Sequence, residues 1–185
     1  SLLSPNPTIN PDLEKILEAA NWAPTHKKTE PWRFKVLTGK KKDEMGVFLS
    51  EKYQEVDPKP KQVTINKLQE NPARSAAVIA ICMQRDPKES LPEWEEIAST
   101  AMAVQNMWLC CTELGIGSYW SSPGLIKFMG EFFDLKEGER CLGFFYMGYF
   151  DGEEIEEGIF NEALTYFSET RNRVYSEFNK YLTNA

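Results

Sequence analysis

Histidine and patterned cysteine are scarce: the chain has one His, His26, and four Cys, Cys82, Cys110, Cys111 and Cys141, with no CxxC pair among them. Structural zinc takes four such ligands clustered at short spacings, so no metal site is expected, and no regular disulfide framework can be read. Cys110 and Cys111 sit in an apolar stretch, where thiols usually bury, which fits a reducing, cytoplasmic setting. Long apolar runs are lacking as well. None approaches the roughly 18 residues of a membrane span, so no membrane partner is expected. Ser1-Leu2-Leu3-Ser4-Pro5 lacks the charged and apolar regions of a signal peptide. Ser1 stands where a translated chain would carry Met, so the raw translation product is expected to differ. Basic charge is in deficit, 21 Lys and Arg against 28 Asp and Glu, for a net charge of −7. That field has the wrong sign for coating nucleic acid or an anionic membrane. GxGxxG, GxxxxGK[ST] and GxSxG are all absent, which removes the main signals of a dinucleotide-binding Rossmann site, a P-loop and a hydrolase elbow. A Ser-His-Asp triad could use only His26, and nothing near it specifies the partners.

What is present is an ordinary globular composition: 185 residues, 42% hydrophobic, 26% charged and 12% aromatic with five Trp. One domain of this size buries a substantial core. Residues 1–11, with three Pro and two Asn, read as loop. Asn10-Pro11-Asp12 opens a helix that keeps its apolar spacing through Trp22 and stops at Pro24. Trp32 to Leu37 alternates with period two, as a strand does. Residues 43–54 read as helix, and the Pro- and Lys-rich residues 56–62 as a mobile connector. Residues 75–83 are a continuous apolar run, suited to a strand covered on both faces. Residues 94–114 form a long helix that is apolar nearly all round after residue 101, which predicts a central position; Gly115 ends it. Trp94 and Trp108 read as core. Ser118 to Trp120 enters a short Ser/Pro/Gly loop. Residues 124–133 read as helix and Cys141 to Phe150 as a third apolar strand. Alternating strands and helices in one domain predict a layered α/β or α+β fold. Asp151 to Gly158, with five acids and two Gly, is a solvated connector. Residues 159–170 regain helical periodicity before Thr170-Arg171-Asn172-Arg173-Val174-Tyr175-Ser176.

Two stretches carry chemistry. Ala23-Pro24-Thr25-His26-Lys27-Lys28-Thr29-Glu30-Pro31-Trp32 places a hydroxyl, an imidazole and two ammonium groups on a rigid helix-to-strand loop. It reads either as a plain surface turn with an incidental His or as a holder for the polar edge of an anionic or heteroaromatic ligand. Arg171 and Arg173 read either as solvated cations at a helix C-terminus or as paired donors to phosphate.

Ala-Pro-x-His-Lys-x-x-Glu-Pro-Trp after an Ile-Leu-x-x-Ala helix resembles the FMN-dependent nitroreductase family, in its small single-domain branch. Further stretches agree in order: Pro92-Glu93-Trp94-Glu95-Glu96, Val104-Gln105-Asn106-Met107, Gly115 to Ser122, and Gly143 to Tyr149. Together they span about residues 10–150. The resemblance implies an α+β, three-layer fold: a central, mostly antiparallel sheet flanked by helices and completed by dimerisation. It implies a single domain over 1–185, with 1–150 as main body, 151–158 as connector and 159–185 as a displaced helix and tail. Such enzymes open with a helix whose Arg-rich end grips the FMN phosphate. Here the matching pattern, Phe160 to Ser176, lies at the C-terminus, which implies a circularly permuted order, natural or engineered. Asn172-Arg173 departs from the family's Arg-Ser, and its C-terminal basic arm is missing.

By the same resemblance the cofactor is FMN and the co-substrate NAD(P)H. The cofactor-binding residues are Arg171, Asn172 and Arg173 at the phosphate; Trp120, Ser121 and Ser122 along the flavin ring; and Thr25, His26 and Lys27 reaching over from the partner of a homodimer. No side chain is catalytic in its own right, because flavin N5 carries the chemistry. Candidates to stabilise reduced flavin are Arg173, His26 and loop amides. Lys59, Lys61, Lys67 and Arg74 read as solvated surface or as extra phosphate contacts. The implied reaction is reduction of nitroaromatics, quinones or related small aromatic acceptors. Flavin-dependent dehalogenation, oxygen-dependent flavin chemistry, and a non-catalytic scaffold with weakened FMN binding are the alternatives.

Overall fold

The computed structural model of the protein describes residues 3–4 and 9–150. Their elements run β1 (Leu3–Ser4), α1 (Ile9–Ala20), β2 (Trp32–Thr38), α2 (Gly39–Val56), α3 (Gln62–Arg74), β3 (Ala77–Gln84), α4 (Glu93–Glu113), β4 (Ile116–Ser121) and β5 (Glu139–Phe150). Tight turns cover His26–Lys28, and a 3-10 segment covers Gly124–Glu131.

The apolar run at residues 75–83 supplies the middle of the sheet. β3 pairs antiparallel with β2 on one side and with β5 on the other; β4 lies along the far side of β5, and β1 extends the sheet at Tyr149 and Phe150. Every pairing among the described residues is antiparallel. Side chains alternate across a strand, and two cores follow. Ala77, Ile79 and Ile81 of β3, with Phe145 and Met147 of β5, face α1 and α4. Val78, Ala80 and Cys82, with Phe144 and Tyr146, face α2 and the 3-10 segment through Met45, Leu49, Leu125 and Met129. Helices thus cover both faces of the sheet, giving the expected three-layer α+β arrangement. Among the described residues no helix is long and apolar enough to cross a membrane.

α4 begins with Glu93, Glu95 and Glu96 in its first turn, where acids complement the positive end of the helix. It ends before Gly115, whose φ of +67° closes the helix in the left-handed conformation that glycine adopts without strain.

Several expectations change. Residues 3–4 pair in the sheet and α1 starts at Ile9, ahead of Pro11, where a loop is expected. Ser118 to Trp120 is strand, because residues 116–121 pair in register with residues 149–144 of β5; pairing overrides the loop-like composition. Residues 62–74, for which no element is expected, form a helix that packs on α2, with Ile65 and Pro72 buried. The 56–62 connector is a fastened turn: Lys59 N–H donates to Asp57 at 2.9 Å and Lys61 N–H to the Tyr53 hydroxyl at 3.3 Å. Trp94 is not core but 66% exposed. Nor is α4 covered all round. Val104, Met107 and Cys111 are buried against the sheet, while Met102 and Leu109 face outward at 39% and 60% exposure. Trp108 is half-buried, its ring edge-on to Phe145 at 5.6 Å. Residues 151–185 lie outside the described residues, and with them the acidic connector, the displaced helix and the permuted order.

Candidate active site

α1 ends at Ala20, short of the expected Trp22, and a turn leads to Pro24; Pro31 precedes β2, so prolines bound residues 24–31 at both ends. Between them Lys27, Lys28 and Glu30 take positive φ of 51°, 57° and 42°, a region non-glycine residues seldom occupy. Thr25 stabilises the loop by accepting the Glu30 N–H at 3.0 Å and by a hydroxyl contact to Thr29 at 3.2 Å. The Arg33 guanidinium donates to the Glu30 carbonyl at 2.8 Å. His26 Nδ1 lies 2.7 Å from Glu95 Oε2, and Lys27 Nζ donates to the Ser90 carbonyl at 2.9 Å.

The ground under Glu95 is firm. The next residue, Glu96, is fully buried; it pairs with Arg85 and accepts the Asp86 N–H at 2.9 Å. Arg85 also donates to the Leu91 carbonyl at 2.6 Å, and its pKa is raised by the Glu96 carboxylate. Asp86 is held below the usual carboxylate range by the Ser90 hydroxyl and by the N–H groups of Lys88 and Ser90. Thr25 and His26 line a cleft of about 490 Å³ with Pro24 and with Trp94, Ala98 and Met102 on the outer face of α4. Lys27 is turned away from that cleft toward Ser90.

The second part is the end of β4. Trp120 and Ser121 pair with Phe145 and Phe144, and the Ser122 hydroxyl donates to the Leu142 carbonyl at 3.0 Å. Gly143 allows this close approach: a β-carbon there would fall 2.1 Å from Trp120 Nε1 and 2.8 Å from Ser121 O and Ser122 Oγ. The Trp120 indole N–H is buried with no hydrogen-bond partner among the described residues. A buried donor left in this state calls for a ligand or water to satisfy it. Immediately beyond, Pro123 and Gly124 enter a cleft of about 540 Å³ walled by Tyr53 and Val56 of α2, Thr64 and Leu68 of α3, and Phe128. A β-carbon on Gly124 would meet only open space, so the backbone there is approachable.

The 24–26 loop and Pro123–Gly124 therefore line different clefts of one chain, and Trp120, Ser121 and Ser122 line neither. Arg171, Asn172 and Arg173 lie outside the described residues. Lys59, Lys61 and Lys67 are exposed, and Arg74 pairs with Glu70 at 3.4 Å. Sequence reasoning missed Glu95, Gly143 and the α2–α3 cleft. Glu95 and Gly143 fall inside the family-like stretches, but their roles come from contacts 69 and about 22 residues away along the chain.

The profile of the nitroreductase family matches residues 3–149. The chain belongs to the nitroreductase family. A provisionally named NAD(P)H nitroreductase of Escherichia coli K12, YdjA, is 29% identical over 149 residues, 80% of each chain. The crystal structure of a nitroreductase-like family protein from Bacillus cereus superposes with a TM-score of 0.69 at 26% identity, covering 84% of this chain and 82% of its own. A nitroreductase homologue from Desulfovibrio desulfuricans, solved in complex with FMN, shares the fold with a TM-score of 0.60 at 18% identity, covering 82% and 81%. The protein is thus an oxidoreductase of the nitroreductase type with the nitroreductase α+β fold.

The residues present suit a flat aromatic group at one place, the largely apolar cleft that starts at Pro123–Gly124, where the Gly124 backbone stays open. The space beside Gly143 is taken by the chain's own Trp120, Ser121 and Ser122, which do not line that cleft.

Proposed function

We propose that this nitroreductase-family protein is an FMN-dependent NAD(P)H oxidoreductase working as a homodimer. FMN, when bound, supplies the redox chemistry by taking hydride from reduced nicotinamide at N5 and passing two electrons to a nitroaromatic, quinone or related conjugated acceptor. The chain's own residues bind and orient. Trp120, Ser121 and Ser122 flank the ring. Thr25 and His26 serve the partner's site, and Lys27, bound to the Ser90 carbonyl, holds their loop. Arg171, Asn172 and Arg173 take the phosphate, where planar guanidinium groups make paired, charge-assisted hydrogen bonds. His26, Arg173 and backbone N–H groups are the donors that stabilise negative charge on the ring's pyrimidine side. A single domain in permuted order, with 151–158 bridging to 159–185, goes with this reading.

The observation that carries it is the company His26 keeps. The polar loop at 24–26 opens onto the one face of α4 that exposes Trp94, Met102 and Leu109. An apolar helix face of that kind suits a second copy of the chain. A second copy seated there brings Thr25 and His26 next to a neighbouring protomer, as a shared site requires.

The test is optical. Purified protein, or protein incubated with excess FMN, is expected to show a flavin absorption spectrum that bleaches with NADH or NADPH and recovers on adding a nitroaromatic or quinone. A chain that stays colourless after FMN incubation would overturn the reading in favour of a scaffold. Arg171→Ala with Arg173→Ala should weaken FMN binding by about 1.5–3 kcal/mol for each charge-assisted hydrogen bond removed.

A further inference from the structure

Among the described residues, four non-glycine residues have positive φ: Lys27, Lys28, Glu30 and Glu89. All four fall in two segments that touch, residues 25–30 and 86–91. Left-handed backbone persists in bulky residues only where the surroundings over-determine it. The loop is fastened by the Lys27 ammonium on the Ser90 carbonyl and by His26 on Glu95. Glu95 is not held by chance. It sits one residue before Glu96, which is anchored by Arg85, and it belongs to the first turn of α4.

We infer that Glu95 is a positioning residue, fixing the tautomer and ring orientation of His26 and holding the strained Thr25–Glu30 loop in its ligand-facing form. The inference rests on the reading of that loop as part of the flavin site. A nitrogen 2.7 Å from a carboxylate oxygen must carry the hydrogen, so Nδ1–H donates to Glu95. Nε2 is then the ring nitrogen left for a ligand, and its direction is set by the bond on the opposite side of the ring, as with carboxylate-oriented imidazoles generally. Glu95 itself lines the cleft, yet its carboxylate is engaged by His26. It acts through the imidazole.

His26 is the only histidine in the chain, so its ring nitrogens can be followed in the intact protein without mutation. The experiment pairs ring 15N chemical shifts of the cofactor-free chain with FMN titration followed by flavin fluorescence. Three single variants are compared: Glu95→Ala, Glu95→Gln and His26→Ala. The double variant with Glu95→Ala and His26→Ala completes the cycle. Wild type is expected to show the Nδ1-protonated tautomer, and Glu95→Ala a mixture of tautomers. Glu95→Ala should weaken FMN binding roughly tenfold, as removing one charge-assisted hydrogen bond does. Glu95→Gln, whose amide oxygen still accepts from Nδ1–H, should recover part of the affinity and the wild-type tautomer. In the double variant the loss should be no greater than in His26→Ala alone, the sign of residues acting as one unit.

If wild type binds FMN but Glu95→Ala binds it equally well, the positioning role is wrong while the site reading stands. If wild type does not take up FMN, the site reading fails and takes this inference with it. A wild-type ring with hydrogen on Nε2 alone would sink the Glu95 contact whatever the cofactor does. An unchanged thermal midpoint in each variant separates a positioning effect from loss of fold, and the 59% exposed His26 side chain makes His26→Ala the variant least expected to disturb packing.

Discussion

A β-carbon at Gly143 would collide with Trp120 Nε1 at 2.1 Å and crowd Ser121 and Ser122 at 2.8 Å. Neither the indole, packed against the core, nor the strand backbone can retreat cheaply. Gly143→Ala is therefore expected to destabilise the fold by about 1–3 kcal/mol, as overpacking does, and to displace the residues proposed to flank the flavin. Urea unfolding and FMN titration on the same variant measure both effects. Glu96 gives a second case. Its carboxylate is fully buried, satisfied by Arg85 and the Asp86 N–H. Glu96→Ala removes the buried carboxylate that holds Arg85 and the Asp86 N–H and should lower the urea midpoint.

At the scale of elements, α4 does two jobs with two faces. Its inner face packs Val104, Met107 and Cys111 on the sheet, while its outer face presents Trp94, Met102 and Leu109 to solvent. If that outer face is where two copies meet, a joint Met102→Glu and Leu109→Glu change should convert a dimer to a folded monomer. Sedimentation equilibrium checks this, and a monomeric wild type would contradict it. The thiols report packing of α4, through Cys110 and Cys111, and of the central strands, through Cys82 and Cys141. All four cysteines are free. Burial pushes the Cys111 thiol up to about 12, and Cys82, hydrogen-bonded to Cys141 and buried, is also pushed well above the usual range. Cys110 is only half-buried. A thiol reagent near pH 8 is expected to label Cys110 first in the native protein and the other three only on unfolding, as read by mass spectrometry.

For the whole molecule, acid is the sensitive direction. Asp12 is held below its usual range by the Tyr149 hydroxyl and Lys15, Asp86 by Ser90 and neighbouring N–H groups, and Glu44 by Lys41. Burial pushes Glu139 upward, but its bond to Lys35 and the Lys136 N–H lowers it on balance. Each of these carboxyls binds protons less readily folded than unfolded. Their contribution is therefore complete above the unfolded carboxylate values of about 4 and is lost as pH falls through the lower folded values. The urea midpoint should hold steady from neutral pH down to about 5 and drop below about 4. Asp12→Asn should reduce the size of that drop.

The strands at residues 32–37 and 75–83 and the long helix are readable because a period of two, a continuous apolar run and a 3.6-residue stripe are local signals. So is the polar loop at 24–31, bounded by two prolines. β4 and α3 are not readable: Ser118 to Trp120 looks like loop until it is laid beside β5, and residues 62–74 are mostly polar with Pro72 inside the helix. Trp94 departs from the core reading because an apolar side chain favours burial without naming what would cover it. The sequence alone determined a layered α/β or α+β class and, through the resemblance carried by its ordered motifs, the nitroreductase family and its α+β fold. Only the tertiary structure decided that Glu95 meets His26, that Gly143 makes room for Trp120, and that the outer face of α4 is left bare. Those facts depend on register and on contacts between distant residues, which local periodicity does not encode.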